Sequence, residues 1–280
     1  MFDEKIVLIS GGTGTFGQAF VTELLKTEVK RIRIYSRGEY LQAEMRRKFP
    51  DERLRFMIGD VRDKERLDRA MSHTDIVVHA AALKRIENCE YNPMEAHKTN
   101  VDGTENVVNC AIDRHVEKVL AISSDKAVHP INVYGVTKQH MEKIIIGGNI
   151  SQEAMFSCIR SGNFTYSKGN VLQLWDKEMR ETGELTVTNK VMSRYWITLE
   201  DIAKFAVKCL NIMEGNEIFI PKMTQVELAQ IIEELYPDAK LNIIGNRPGE
   251  KLTELLFNEG EEPEDCGDYW VIKIKQAGGR

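Results

Sequence analysis

Seven residues constrain this chain more than any others: Gly11-Gly12-Thr13-Gly14-Thr15-Phe16-Gly17, directly behind the apolar run Lys5 to Ser10 and directly ahead of an amphipathic stretch. Glycines at this spacing let the main chain turn tightly and approach a pyrophosphate. The helix starting beyond Thr15 adds unpaired N–H groups and the positive end of its dipole. Gly11, Thr13, Gly14, Thr15, Phe16 and Gly17 are therefore read as cofactor-binding residues. The next 150 or so residues repeat the alternation, with Arg31 to Tyr35, Leu54 to Ile58, Ile76 to Ala80, Val119 to Ser123 and Phe156 to Arg160 as strands and helical segments between them. Short strands rich in β-branched residues, separated by helices, build βαβ units and hence a parallel sheet covered on both faces.

The expected fold is α/β, a Rossmann-type doubly wound parallel sheet with a smaller C-terminal substrate-binding lobe. Residues 1–163 form the dinucleotide-binding domain, 190–222 return to it, and 164–189 with 223–280 make the lobe. In this half Asn170 to Glu181, Leu199 to Met213 and Thr224 to Leu235 read as helices, Leu185 to Thr188 and Glu217 to Pro221 as strands, and the acidic Asn258 to Asp265 as a solvated loop. Composition narrows the function. A net charge of −5 over 280 residues offers no positive field for phosphate backbone, so nucleic acid is not expected as a partner. No apolar run approaches the ~20 residues that cross a bilayer, and the first residues lack a signal-peptide layout, so no membrane association and a cytoplasmic location are expected. Five scattered cysteines without a CxxC pair read as reduced thiols, and six histidines without HxxxH or HExxH spacing argue against a metal site.

At the end of the second strand stand Ser36 and Arg37, where an acidic residue would face the ribose of NAD. A hydroxyl beside a guanidinium suits a 2′-phosphate, so NADP is the expected cofactor. Asp60 and Val61, ending the third strand, are placed for the adenine, and Ala80, Ala81 and Ala82, ending the fourth, for small walls beside the cofactor. Tyr134 and Lys138, four apart, share a helix face. A lysine beside the phenol favours phenolate, which lets the tyrosine take a proton from a sugar hydroxyl while hydride leaves the adjacent carbon.

With the glycine loop, Asn100 in Lys98-Thr99-Asn100, and the Tyr134/Lys138 pair, the chain resembles an extended short-chain dehydrogenase/reductase. Ala80 to Lys84, Ser123 to Lys138 (SSDKAVHPINVYGVTK), Val191 to Thr198, Ile218 to Lys222 and Arg247 to Lys251 resemble one branch closely: the soluble inverting UDP-N-acetylglucosamine 4,6-dehydratases that begin pseudaminic acid synthesis. That resemblance implies a hydro-lyase acting on a UDP-sugar and a homo-oligomer. Tyr134 would deprotonate the C4 hydroxyl as NADP+ takes the hydride, Ser124 would hold the C4 oxygen, and Lys138 would reach the nicotinamide ribose. Lys126 would then take the C5 proton and Asp125, protonated, would donate to the departing C6 hydroxyl. The resulting 5,6-ene is reduced at C6 and protonated on the opposite face of C5. Burial and the nearby Lys138 are expected to depress the Lys126 pKa. Asn100 and Lys84 fall beside the cofactor; Lys84, Asn163, Arg194, Arg247 and Glu250 match positions that hold the substrate. Three alternatives stay open: a partial dehydratase that makes or consumes the 5,6-ene, a UDP-sugar 4-epimerase, and an NADP-sensing regulator. The loop Phe164 to Asn170 departs from the Ser-Arg-Gly-Ser continuation of relatives.

Overall fold

The computed structural model describes residues 1–167 and 169–275. Its first half alternates β1 (Ile6–Ser10), α1 (Thr15–Leu24), β2 (Arg31–Ser36), α2 (Glu39–Lys48), β3 (Leu54–Ile58), α3 (Lys64–Met71), β4 (Ile76–His79), α4 (Ile86–Tyr91), α5 (Pro93–His97), α6 (Gly103–Asp113), β5 (Lys118–Ile122), α7 (Val133–Gly147) and β6 (Met155–Ile159). Successive side chains of a strand point to opposite faces, and here both faces are buried. Val7 and Ile9 of β1 pack with Ile32, Ile34, Val78 and Leu120 in one core, while Leu8 packs with Tyr35, Val77, Val119 and Phe156 in the other. Such two-sided burial explains why β1, β4, β5 and β6 read as nearly continuous apolar runs, whereas β2 and β3, toward the sheet edge, carry arginines at partly exposed positions.

The second half contains β7 (Asn163–Phe164), α8 (Val171–Thr182), β8 (Glu184–Val187), β9 (Ser193–Ile197), α9 (Leu199–Ile212), β10 (Glu217–Pro221), β11 (Thr224–Glu227), α10 (Leu228–Leu235), β12 (Lys240–Ile243), β13 (Glu264–Asp265) and β14 (Tyr269–Lys273). Among the described residues the main sheet has nine strands in the order β13-β14-β10-β6-β5-β4-β1-β2-β3. It is parallel from β3 to β10, and β14 and β13 close its edge antiparallel. The order reverses on either side of β1, which is the doubly wound arrangement. Helix α9 covers α1, joining Ile202, Phe205, Ala206 and Leu210 to Phe20, Val21 and Leu24 in one core. The small sheets β11-β9-β7 and β12-β8 lie apart from the main sheet, around a core built on the fully buried Trp175 with Leu185, Val187, Trp196, Ile232 and Tyr236.

Three expectations are corrected. Thr224 to Glu227 is a strand, not the first turn of a helix, because it pairs antiparallel with β9, and the helix begins only at Leu228. The tail does not stay in the smaller lobe: β14 pairs with β10 and so completes the main sheet. The acidic stretch is not simply solvated, since Glu264 and Asp265 pair with β14 and Glu261 grips Arg160 at 2.7 Å.

Arg160 is wholly buried, and its guanidinium bridges Glu261 to Glu142 of α7, the latter at 2.8 Å. Glu142 also accepts from Ser123 Oγ at 2.6 Å, so one buried cation ties the end of β6 to the tail and to α7. Breaking a buried ion pair from one side leaves an uncompensated charge and costs about 3–5 kcal/mol. Glu142→Gln is expected to lower unfolding stability by that amount in a denaturant titration. A loss within experimental error would show that Glu261 suffices alone.

Among the described residues no helix is long and apolar enough to cross a membrane, and no group of three or more His, Cys, Asp or Glu could hold a metal ion. Cys89, Cys110, Cys158 and Cys209 are buried free thiols, and Cys266 is partly exposed.

Candidate active site

The glycine loop sits where β1 gives way to α1, at the point where the strand order reverses. Gly11 has φ +68°, and a Cβ there would lie 2.8 Å from Ala81 Cα. Its N–H donates to Tyr35 O at 2.8 Å. A Cβ on Gly17 would lie 2.5 Å from Gly12 O, so that glycine lets α1 settle against the loop. At Gly14 a Cβ would meet only Gly11 O within 4 Å, which leaves that face of the loop open. No side chain of the N-cap residue, Gly14, caps the start of α1. Thr13 is nearly buried, and Phe16 stacks on Phe20 and Phe164. This cradle fits a pyrophosphate.

Beyond it, Arg37 projects from the end of β2 with its side chain 55% exposed and 3.8 Å from Asp60 Oδ2. Asp60 is engaged by Arg62 at 2.7 Å. Burial pushes its carboxyl up, but the hydrogen bonds from Arg62 and the Arg37 charge outweigh this and hold it below the usual carboxylate range. Ser36 Oγ accepts from Gln42 Nε2 at 3.0 Å. Gln42, a buried residue absent from the sequence reading, also donates to Ser36 O and Met57 O and so locks the ends of β2 and β3 together. Val61 is buried against Gly103. Ala80, Ala81 and Ala82 run half-buried off β4, and Lys84 follows with its amine pulled below the usual lysine range by desolvation and by Arg85. Asn100, expected at the cofactor, is committed elsewhere. Its amide exchanges bonds with the Leu83 backbone at 2.8 and 2.9 Å and donates to Thr137 Oγ1 at 2.9 Å, so it braces this wall against α7. Underneath, the buried His79 bridges Ser10 Oγ at 2.7 Å and Thr104 Oγ1 at 3.0 Å. Burial and the Lys138 charge push its pKa down to about 3 and keep it neutral.

After β5 the chain makes one tight helical turn over Asp125 to Ala127, then enters α7 under an Asn132 cap that accepts from Gly135 N at 2.7 Å. A Cβ on Gly135 would collide with the Lys126 carbonyl. Glycine after Tyr134 is thus what lets α7 dock on the turn at Asp125 to Ala127. Lys126 Nζ donates to Asp125 Oδ1 at 3.0 Å and to Asn163 Oδ1 at 3.4 Å, and lies 3.4 Å from Glu254 Oε1. Ser124 Oγ donates to the same Asp125 oxygen at 2.9 Å. Asp125 Oδ2 and the Ser161 hydroxyl are buried without a protein partner, leaving polar atoms that a ligand can use.

Two electrostatic expectations are overturned. Lys126 is not depressed: burial pulls its amine down, but the carboxylates of Asp125 and Glu254 outweigh burial and raise it. Nor does Lys138 make a phenolate of Tyr134. Its ammonium donates to Ile122 O at 2.6 Å, and burial lowers it to about 8. Burial pushes Tyr134 up to about 12, with the Lys126 charge and the Ser124 hydrogen bond pulling the other way. The lysine that eases ionisation of the phenol is therefore Lys126.

On the substrate side, Asn163 of β7 reaches Lys126 as noted. Arg194 of β9 is buried, its Nη1 donating to Ser193 O at 2.8 Å and Leu252 O at 3.1 Å. Arg247 pairs with Glu87 of α4 at 2.6 Å, and Glu250 accepts from the Arg247 N–H at 3.3 Å. Residues 247–254 pack beside the turn at Asp125 to Ala127, where Gly249, at φ +80°, offers its carbonyl to Asn132 at 2.8 Å and Lys251 donates to Val128 O at 2.5 Å. Glu254 arrives with this segment. Nothing in the spacing of the chain marks it as a neighbour of Lys126.

A loop for a dinucleotide beside a Ser-Asp-Lys/Tyr cluster is the layout of a nucleotide-sugar enzyme, and residues 7–274 match the family described as polysaccharide biosynthesis protein. The chain belongs to that family. A UDP-N-acetylglucosamine 4,6-dehydratase (inverting) from Campylobacter jejuni is 41% identical, over 93% of this chain and 80% of that protein. A UDP-glucose 4-epimerase from Rickettsia canadensis is 38% identical, over 98% of this chain and 84% of that protein. The X-ray structure of Pen from Bacillus thuringiensis superposes with TM-score 0.94 at 37% identity, covering 97% of this chain and 90% of that one. More distant folds, at 21% identity and below, include a dTDP-glucose 4,6-dehydratase and a UDP-glucose 4-epimerase with NAD bound. The resemblance to inverting dehydratases carried by the motifs is thus matched along nearly the whole chain, and this family member is an enzyme of the dehydratase and epimerase type.

Proposed function

We propose that this protein is a nicotinamide-dependent UDP-N-acetylglucosamine 4,6-dehydratase that inverts C5 through a 5,6-ene. The observation that carries the reading is the Asp125–Lys126 contact at 3.0 Å, beside Tyr134. At rest this is an ion pair. Moving one proton across the hydrogen bond yields a carboxylic acid and a free amine, the acid and base that elimination across C5 and C6 requires. A 4-epimerisation needs only C4 oxidation and return, and gives Lys126 nothing to do. Gly11 to Gly17 would hold the dinucleotide, which would supply the hydride acceptor for C4 and the hydride donor for C6. Tyr134, with its phenol near 12, is not a standing phenolate: it takes the C4 hydroxyl proton as its own proton leaves through the Ser124 hydroxyl to solvent, and C5 later takes a solvent proton in return. The 4-ketone acidifies the C5 hydrogen for Lys126, and Asp125 protonates the leaving C6 hydroxyl. Inversion follows when C5 is reprotonated on the other face.

The test is incubation with UDP-N-acetylglucosamine and a nicotinamide dinucleotide in heavy water, read by NMR. A 4-keto-6-deoxy product with inverted, deuterated C5 is expected. Accumulation of the 5,6-ene would mark a partial dehydratase. A C4 epimer with protium at C5 would overturn the reading in favour of the epimerase named among the relatives.

Arg37 supports NADP, although the distant folds carry NAD. A charge-assisted contact contributes about 1.5–3 kcal/mol, and a half-exposed guanidinium falls at the low end of that range. Arg37→Ala should therefore weaken NADP about tenfold in a binding titration and leave NAD unchanged. Equal effects on both would remove the phosphate assignment.

A further inference from the structure

Glu254 is 3% exposed, and buried carboxylates persist only where they are paired. Its partners are two lysines: Lys126 Nζ lies 3.4 Å from Oε1 and Lys251 Nζ 3.4 Å from Oε2. We infer that Glu254 is a positioning residue, whose carboxylate anchors the Lys126 amine together with Asp125 and retains the proton on it until Asp125 takes that proton up. The inference rests on the proposed function only for its catalytic consequence.

The surroundings of Lys126 make Glu254 the controlling charge. Asp125 stands on its own turn, Asn163 on β7 and Tyr134 on α7; Arg194 on β9 and Lys251 on the 247–254 segment are cations. With both carboxylates present the two neighbouring cations are balanced. Without Glu254, Lys126 would face Arg194 and Lys251 with Asp125 alone, and its ammonium would give up a proton more readily. The contact also explains how a segment far along the chain can govern a turn at the end of β5. Glu254 reaches the site only because Gly249 and Lys251 dock residues 247–254 on Asn132 and Val128.

The test is competitive acetylation with limiting acetic anhydride across an alkaline pH series, read by peptide mass spectrometry, with the exposed Lys177 as internal reference. Glu254→Gln is expected to move the Lys126 labelling midpoint down by about one pH unit, so that below the midpoint it labels about tenfold faster than wild type relative to Lys177. An unmoved midpoint overturns the inference, as does a rise that is uniform with pH, because that reports opened access and not a changed proton affinity. If the Gln variant does not fold, Glu254→Asp, whose carboxylate is withdrawn by one methylene, should shift the midpoint in the same direction by less, and no shift there overturns the inference equally. The pH profile of C5 deuterium exchange should move with the labelling midpoint. A midpoint shift with no change in exchange would leave the hold of Glu254 on Lys126 standing and remove Lys126 as the C5 base.

Discussion

Lys126→Ala is expected to bind UDP-N-acetylglucosamine and the nicotinamide cofactor and to oxidise C4 more slowly, since the charge that eases ionisation of Tyr134 is gone, and to lose C5 deuterium exchange and water elimination by roughly 10²–10⁴-fold, the range of a positioned general base. The expectation follows from the Lys126 amine, which the structure places against Asp125, Asn163 and Glu254. Among the described residues the other lysine closest in role, Lys138, has its ammonium on the Ile122 carbonyl and cannot substitute. Asp125→Asn separates the two halves of the step. It removes a carboxylate that keeps Lys126 charged, so exchange at C5 should survive, while the C6 hydroxyl loses its proton donor and elimination should slow. NMR of the sugar ring in heavy water reads both. Exchange at the wild-type rate in Lys126→Ala would mean that another group takes the proton, and the inverting mechanism would lose its main support.

Tyr134→Phe is expected to abolish C4 oxidation, again by roughly 10²–10⁴-fold, with the cofactor still bound and the fold intact. The ring is 9% exposed and packs with Cys89, Ala96, Leu83 and Ile86, contacts that phenylalanine keeps. The lost hydroxyl removes one hydrogen bond to Ser124, worth about 1 kcal/mol of stability. Appearance of reduced nicotinamide in a single turnover measures oxidation directly, and thermal unfolding checks the fold. Oxidation that persists in Tyr134→Phe would identify a different acceptor for the C4 hydroxyl proton.

The strands β1, β4, β5 and β6 were legible to within a residue at each end because they are buried on both faces and nearly apolar throughout, and β2 and β3 because their β-branched and aromatic residues stand between helical segments. The helices α8 and α9 were legible because Asn170 and Thr198 cap them with their side chains. The strand β9 was not, since Arg194 and Tyr195 break the apolar run and only pairing with β7 and β11 makes the segment a strand. At the site, Asp125, Lys126, Tyr134 and Lys138 could be named because they stand within one turn and one helix, where spacing implies proximity. Glu254, Gln42 and His79 could not, because each joins the site through contacts between distant segments.

The chain alone thus spelled out local features: a glycine loop, a tyrosine and lysine on one helix face, and a Ser-Asp-Lys turn behind β5. The charge state of those groups came from packing between distant segments. A lysine read as depressed is raised because two carboxylates, one brought from the 247–254 segment, surround it, and the tyrosine read as a phenolate is held near 12 by burial. The physical reason is that proton affinity depends on desolvation and on every charge within a few ångströms, and those neighbours come from segments whose closeness no local pattern in the chain encodes.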